Sequence, residues 1–254
     1  MRLRVLGSDG GIGGSRRTTS LLVDDDVLID AGSGVGDLTV QEMARVRKVL
    51  LTHAHLDHVS GLLLMLDSVH AEVDRRVVAY GLAGTLEALS SHVLNDEIWP
   101  DFRRIPSPAD PVLTLKTMSS GDVLEDGARR FTMIEVRHVV PAVGYFVAGP
   151  TGAFAFSGDT GPCPAFWDAL NGQKRLDLVL VEVSFPDRKA EMALRTGHHH
   201  PTSLARDLQR LTHRPEIWLT HLKPGLEEEI EADCQRVLAG RDVHVLRAGQ
   251  EFTF

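Results

Sequence analysis

Runs of three to six apolar residues separated by polar turns recur along the chain and predict β-strands. Two of these runs are separated only by the charged triplet 24–26, which predicts a hairpin. The expected strands are residues 3–6, 21–23, 27–29, 49–51, 77–80, 112–115, 131–136, 144–147, 153–156, 178–181, 217–219 and 243–246.

Longer segments with apolar positions at helical spacing lie between these strands. The expected helices are residues 40–46, a segment beginning near 57, and residues 82–93, 164–170, 203–211 and 227–237. Strands come first, mixed strands and helices follow, and this order then repeats. Because helices have to cover the faces of sheets, two packed sheets with helices outside are the economical arrangement. No clear boundary interrupts the pattern, so we expect residues 1–254 to form a single α/β domain.

The composition is typical of a globular protein, with 43% hydrophobic and 24% charged residues. A formal net charge of −8 argues against a broad electrostatic surface for nucleic acid. The two cysteines, Cys163 and Cys234, cannot build a disulfide framework and fit a reducing compartment. The N-terminal residues do not resemble a signal peptide, and no run reaches membrane-spanning length. We therefore expect a cytoplasmic protein with no membrane partner.

A dense group of potential metal ligands follows the strand predicted at 49–51. His53, His55, Asp57 and His58 lie within six residues, where this strand gives way to a helix. A loop at such a point can direct several side chains to one place. Imidazoles and carboxylates suit Zn²⁺ or a similar first-row ion. The alternative is a polar turn that happens to be rich in histidine.

Further candidate ligands appear downstream, each just after a predicted strand. They are His138, Asp159 and His221. Taken alone, each has an ordinary explanation as a surface histidine or a turn aspartate. Because strand ends at one edge of a sheet can converge, these residues and the earlier cluster together predict one shared metal site.

The motif from His53 to His58, together with these downstream residues, resembles that of the metallo-β-lactamase superfamily, and the resemblance covers most of the chain. It implies an αββα sandwich of two mixed β-sheets with helices on the outer faces and a two-metal site at one edge. By this resemblance, one metal would be held by His53, His55 and His138, the other by Asp57, His58 and His221, and Asp159 would bridge both.

Residues 53–64 are similar to the signature of class II 3′,5′-cyclic-nucleotide phosphodiesterases. The match departs at its end, where Leu66 and Asp67 replace the expected serine and the small residue or proline. The retained Asp57–His58 pair argues against the oxygen-reducing di-iron branch of the superfamily. The resemblance implies hydrolysis of cAMP or cGMP to the 5′-monophosphate through two metal ions and a bridging hydroxide that Asp57 could orient. Zn²⁺ is the expected metal, with manganese, iron or cobalt as alternatives, and a homodimer is also implied.

A second histidine-rich stretch, residues 197–203, resembles a motif shared by the phosphodiesterase and transfer-RNA-processing branches. His198 is the candidate donor of a proton to the leaving 3′-oxygen, and Glu182 is its candidate partner. Together with Asp57, these two are the predicted catalytic residues. The alternative is a solvent-exposed polyhistidine loop, and we assign no role to His199 or His200.

Other residues support a functional and an ordinary interpretation equally well. Asp30 could fix the tautomer of a ligand histidine or simply end a strand. Lys223 could contact a phosphate or be exposed. Trp99 and Phe102 could stack on a nucleobase, or belong to a packed loop or dimer contact. The glycine-rich segment 7–14 is not followed by the helix of a dinucleotide fingerprint; it could bring backbone close to a ligand or be a plain turn.

Three other functions compete with cyclic-nucleotide hydrolysis. The first is a transfer-RNA 3′-processing endonuclease, but we find no clear glycine- and proline-rich arm to grip RNA, and the net charge is unfavourable. The second is a lactone or thioester hydrolase, since the same metals can promote attack on a carbonyl. The third is a nucleotide-binding sensor without catalysis. A small cyclic nucleotide is therefore the expected partner, rather than nucleic acid.

Overall fold

The structure is a computed structural model, and it describes residues 1–69 and 76–254. The strands of the described residues are β1 (Arg2–Gly7), β2 (Ser20–Val23), β3 (Val27–Ala31), β4 (Lys48–Leu50), β5 (Val77–Gly81), β6 (Pro106–Ser107), β7 (Asp110–Pro111), β8 (Leu113–Thr117), β9 (Val123–Asp126), β10 (Arg129–Val136), β11 (Ala142–Ala148), β12 (Ala153–Phe156), β13 (Leu178–Glu182), β14 (Glu216–Thr220), β15 (Val243–Val245) and β16 (Glu251–Thr253).

Two seven-stranded sheets contain almost all of these strands. The N-terminal sheet has the order β16-β1-β2-β3-β4-β5-β8, and the C-terminal sheet has the order β15-β14-β13-β12-β11-β10-β9. Strands β6 and β7 form a separate small ladder. The α-helices of the described residues are α1 (Val40–Met43), α2 (Leu56–Val69), α3 (Ala83–His92), α4 (Pro164–Asn171), α5 (Ala190–Arg195), α6 (Pro201–Leu208) and α7 (Glu227–Val237).

Three layers of buried apolar side chains hold this arrangement together. Alternate residues of β13 show the principle: Leu178 and Leu180 face the other sheet, whereas Val179 and Val181 face α4, α6 and α7. On the far side, the N-terminal sheet packs against α2 and α3. Both faces of each sheet are covered, which is why the central strands are continuous apolar runs and do not alternate with polar residues. The expected αββα sandwich is confirmed.

All of the strands expected from the sequence are present, but the polar pattern concealed several other elements. Strands β9 and β16 each pair with a neighbour along only one edge. Because they are short edge strands with several polar residues, they lack the apolar run from which the other strands were predicted. Helix α5 is only six residues long. Helix α6 begins at Pro201, two residues before the expected start, since proline suits the first turn of a helix. Residues 95–111, for which the sequence predicts neither a strand nor a helix, contain the β6–β7 ladder.

The direction of the strands in the C-terminal sheet determines where the site forms. Strands β12, β13 and β14 run parallel to one another, and β10 and β12 are both antiparallel to β11. The carboxyl ends of β10, β12, β13 and β14 therefore lie at the same edge. The Val143 amide donates a hydrogen bond of normal length, 3.0 Å, to the Thr52 carbonyl. This bond joins the loop after β4 to the same edge.

Candidate metal centre

The seven candidate ligands expected from the sequence come together at this edge. Their ligand atoms form two groups in which all atoms lie within 4.8 Å of one another. The first group is His53, His55, His138 and Asp159, and the second is Asp57, His58 and His221. Apart from Asp159, the expected bridge, these two groups contain the same residues as the two expected sets of ligands. The binding of one ion by each set stays a prediction.

Asp159 belongs to the first group, is almost fully buried, and also approaches the second group. One of its carboxylate oxygens is 3.3 Å from Nε2 of His58, and the other is 3.3 Å from Nε2 of His221. The second oxygen is also 3.8 Å from Nε2 of His53. One carboxylate thus faces imidazoles of both groups, as a bridging ligand must.

Asp30 orients a histidine of each group. Nδ1 of His58 lies 2.7 Å from one Asp30 oxygen, and the Thr52 hydroxyl donates to that same oxygen at 2.8 Å. Since the Thr52 proton is used in this bond, Nδ1–H of His53 donates to the Thr52 oxygen at 2.9 Å. Both imidazoles then present the Nε2 lone pair to the site. The expected role for Asp30 therefore has a geometric basis.

The buried nitrogens show that the site suits a metal. Nε2 of His53 and Nε2 of His58 are inaccessible to solvent and make no hydrogen bond within the described part of the chain. Leaving such polar atoms unpaired is costly, and a divalent cation satisfies a lone pair directly. The donor set of imidazoles and carboxylates also matches the preferences of zinc and its neighbours.

The protonation states of four candidate ligands also suit metal binding, whereas burial of His58 is outweighed by the carboxylates of Asp159 and Asp30, which raise the pKa of this imidazole, so that a bound cation would have to displace its proton. Burial lowers the pKa of His53, His55 and His138, so these imidazoles are neutral at pH 7 and have a free lone pair. Burial opposes the charge on Asp57, but the neighbouring imidazoles of His221 and His58 together outweigh burial and lower the pKa of this carboxyl group. Neutral imidazoles and ionised carboxylates are the forms that coordinate cations.

Two residues of the site are among the four non-glycine residues with positive φ in the described part of the chain. Asp30 and His221 adopt left-handed backbone conformations, with φ values of 55° and 63°. Such conformations are uncommon for residues with a side chain and occur preferentially at functional sites. The glycine-rich loop packs directly on His221: a Cβ on Gly10 would lie 2.4 Å from the His221 carbonyl oxygen. The loop therefore brings backbone close to a candidate ligand, as one of the two interpretations expected.

Glu182 and His198 form a buried pair beside the candidate ligands. Nδ1 of His198 lies 2.7 Å from Oε1 of Glu182, whose side chain is fully buried. Burial opposes a charged His198, but the Glu182 carboxylate outweighs it and raises the pKa of His198 above its usual value. A ligand atom of His198 lies within 4.8 Å of those of Asp159 and His221. An imidazole held here by a carboxylate can supply a proton to a group bound beside these ligands.

The neighbouring histidines do not form a solvent-exposed loop. His199 is fully buried, and its Nδ1 lies 2.9 Å from the Ser203 hydroxyl. His200 is also buried and lies 2.7 Å from Asp187, which in addition accepts the Thr202 amide at the start of α6. Both side chains anchor the segment that carries His198, a structural role that the sequence pattern did not assign to them.

The other candidates have different outcomes. Phe102 is buried in the core beneath α2 and α3, and Trp99 packs against the same core. The hypothesis that Phe102 stacks on a nucleobase is therefore wrong, and both residues belong to a packed loop. Nζ of Lys223 donates to the Gly10 carbonyl at 3.0 Å, next to His221 in the chain. Sequence reasoning missed the orienting role of Thr52 and the partly exposed ring of Phe185, whose centroid is 5.9 Å from that of His198.

Comparison with known proteins identifies the family. The model of the beta-lactamase superfamily domain matches residues 26–222, which include every candidate ligand. The chain belongs to the metallo-β-lactamase superfamily. It is therefore a metal-dependent hydrolase, and the resemblance recognised in the sequence is confirmed.

Relatives in two branches of the superfamily are similar to the chain. A probable 3′,5′-cyclic-nucleotide phosphodiesterase of Yersinia pestis is 26% identical, over 88% of this chain and 78% of that protein. A ribonuclease Z of Methanopyrus kandleri is 31% identical, over 58% of this chain and 50% of that protein. Among solved structures, unliganded yeast PDE1 matches with a TM-score of 0.81 at 19% identity, covering 98% of both chains. Within the described residues, no helix has the length and apolar character needed to cross a membrane.

Proposed function

We propose that this enzyme hydrolyses 3′,5′-cyclic nucleotides to 5′-monophosphates at a site that binds two divalent metal ions. The observation that carries the proposal is the buried Glu182–His198 pair, which lies beside both groups of candidate ligands. The leaving group of a 3′,5′-cyclic phosphodiester is an alkoxide, which benefits from a proton, whereas a thioester releases a thiolate that needs less help from an acid. Relatives named as cyclic-nucleotide phosphodiesterases point in the same direction.

In the proposed reaction, His53, His55 and His138 would hold one ion, Asp57, His58 and His221 the other, and Asp159 both. When bound, the ions would lower the pKa of a bound water and neutralise charge on the phosphate. His198 would donate its proton from Nε2 to the departing 3′-oxygen, since its Nδ1 is occupied by Glu182. Glu182 would hold the ring in place and stabilise its charged form. Asp57 would accept a hydrogen bond from the water and direct it.

The surroundings of the site favour a small substrate over a long RNA. RNA binding requires several cations to contact successive phosphates. The two arginines that follow the glycine-rich segment are already paired, Arg16 with Glu227 at 2.6 Å and Arg17 with Asp37 at 3.0 Å. Next to the candidate ligands, Leu56 and Val139 expose apolar side chains to solvent. This apolar rim suits a nucleoside better than it suits a phosphate backbone.

The decisive assay offers the metal-loaded protein cAMP, cGMP and 2′,3′-cyclic nucleotides and follows release of monophosphate. We expect turnover of the 3′,5′-cyclic substrates, with the 5′-monophosphate as product. The absence of turnover of every one of these nucleotides, with the metal sites shown to be full, would contradict the proposal.

The second candidate is 3′ processing of transfer RNA, which is favoured by the relatives named ribonuclease Z and ribonuclease BN. Offering the same preparation a precursor transfer RNA separates the two. Cleavage of RNA that weakens steeply as salt is raised would support the second candidate. Lactone and thioester substrates, tested in parallel, would reveal a lactone or thioester hydrolase activity.

Phe185 gives the proposal a further test, because its partly exposed ring can stack on a nucleobase next to His198. Stacking on an aromatic side chain contributes about 1–3 kcal/mol per base. We expect Phe185→Ala to raise KM for cAMP about 5- to 100-fold with a much smaller change in kcat. Phe185→Tyr, which keeps the ring, should retain the native KM. An unchanged KM in the alanine variant would show that the base binds elsewhere.

Three finer points belong to the same proposal. We infer that zinc is the resident metal, with manganese, iron or cobalt as alternatives that elemental analysis of the purified protein distinguishes. We also propose that the protein acts as a cytoplasmic homodimer. Sedimentation analysis of the purified protein tests the oligomeric state, and fractionation of cells tests the location.

A further inference from the structure

Ser184 occupies a buried position between the candidate proton donor and a candidate metal ligand. Its hydroxyl oxygen lies 3.0 Å from Oε2 of Glu182 and 3.0 Å from Nδ1 of His221. The same oxygen is 3.1 Å from Nδ1 of His198. The His221 carbonyl oxygen is a fourth neighbour, at 3.3 Å. The side chain is fully buried, so these four groups, and no solvent, determine how the hydroxyl is used.

The hydrogens at this position can be assigned because each group has a limited number. Nε2 of His221 faces the site, 3.3 Å from Asp159, so a neutral His221 that binds metal through Nε2 has its hydrogen on Nδ1. That hydrogen can only be donated to the Ser184 oxygen, 3.0 Å away. The Ser184 hydroxyl then donates its own single hydrogen to Oε2 of Glu182, which is a nearer acceptor than the His221 carbonyl oxygen.

Glu182 completes a continuous series of hydrogen bonds between His221 and His198. Its other oxygen, Oε1, accepts Nδ1–H of His198 at 2.7 Å and the Thr160 amide at 3.1 Å. The chain thus runs from Nδ1–H of His221 through the Ser184 hydroxyl to the carboxylate, which also holds His198. The rings of His198 and His221 lie nearly parallel at its two ends, 5.4 Å apart.

We propose that Ser184 is a positioning residue that links the metal centre to the proton donor. It fixes the tautomer of His221 so that Nε2 stays available to a metal, and it holds Glu182 in the orientation that serves His198. The first role concerns metal binding alone. The second rests on the proposed function, in which His198 donates a proton.

The test compares Ser184→Ala with the native protein in two separate measurements. Loss of a partner that orients a ligand histidine typically weakens metal binding about 10- to 100-fold. We expect a loss of that size for one of two Zn²⁺ equivalents in competition with a chelator, measured without substrate. In steady-state assays with cAMP, we expect kcat to fall about 10- to 100-fold while KM changes little.

Ser184→Thr retains the hydroxyl and should restore most of the zinc affinity and kcat, which a purely steric role would not predict. Ser20→Ala, which also removes a fully buried hydroxyl but one bonded to backbone only, should leave both measurements unchanged. Circular dichroism of each variant verifies folding. Native zinc affinity in a folded Ser184→Ala variant would overturn the proposal, whether or not cyclic nucleotides are substrates. Weakened zinc binding without turnover of cAMP by the native enzyme would instead contradict only the proposed function.

Discussion

Asp57→Ala should leave the enzyme with one tightly held metal equivalent and very little activity. Asp57 belongs to the group of Asp57, His58 and His221, whereas the other group keeps its three histidines and Asp159. Removing one of two ions from a phosphodiester site costs several kcal/mol of transition-state stabilisation. A loss of about 4 kcal/mol corresponds to a roughly 1000-fold decrease in kcat. Elemental analysis after gel filtration, together with the cAMP assay, measures both effects.

The matched control is Asp67→Ala, which removes an exposed carboxylate from the same helix, α2. It should retain two metal equivalents and native activity. Equal loss of both ions in the Asp57 variant would refute the division of ligands between two metals. Retention of both ions together with native activity would remove Asp57 from the site altogether.

His198→Ala should lose about 10²- to 10⁴-fold in kcat with cAMP and keep its full metal content, because general acid catalysis contributes on that order. The side chain contacts the candidate metal ligands only through ring packing, and its hydrogen bonds lead to Glu182 and Ser184. His198 also forms a third group of potential ligands with Asp159 and His221. Loss of metal in the His198→Ala variant would therefore show that His198 is itself a ligand.

The leaving group provides the sharper test of this role. Bis(p-nitrophenyl) phosphate releases nitrophenolate, a weak base that needs little help from an acid. We therefore expect His198→Ala to hydrolyse this ester at a rate close to that of the native enzyme, while its activity on cAMP is lost. His244→Ala is the matched control, since His244 is a solvent-accessible histidine paired with Asp242. An equal decrease with both substrates would mean that His198 positions the substrate and donates no proton.

The residues that build the metal centre could be recognised from sequence because the pattern is local and chemically specific. His53 to His58 concentrate four donors where a strand meets a helix, and His138, Asp159 and His221 each follow an apolar strand. Few structural requirements other than metal binding produce that density of ligands. The sandwich could be predicted for a related reason, since apolar runs covered on both faces mark the central strands.

The sequence alone therefore determined the family, the two-sheet architecture and the set of candidate ligands. It could not show how Asp30, Thr52 and Ser184 hold the imidazoles, or that His199 and His200 are buried anchors. Those roles depend on hydrogen bonds between loops that are far apart in the chain, such as Ser184 to His221 and Asp30 to His58. A serine or aspartate in a polar turn has the same local pattern whether it faces solvent or a buried nitrogen. Whether such a side chain faces solvent or a buried imidazole nitrogen is decided only when the tertiary structure brings the strand ends together at one edge.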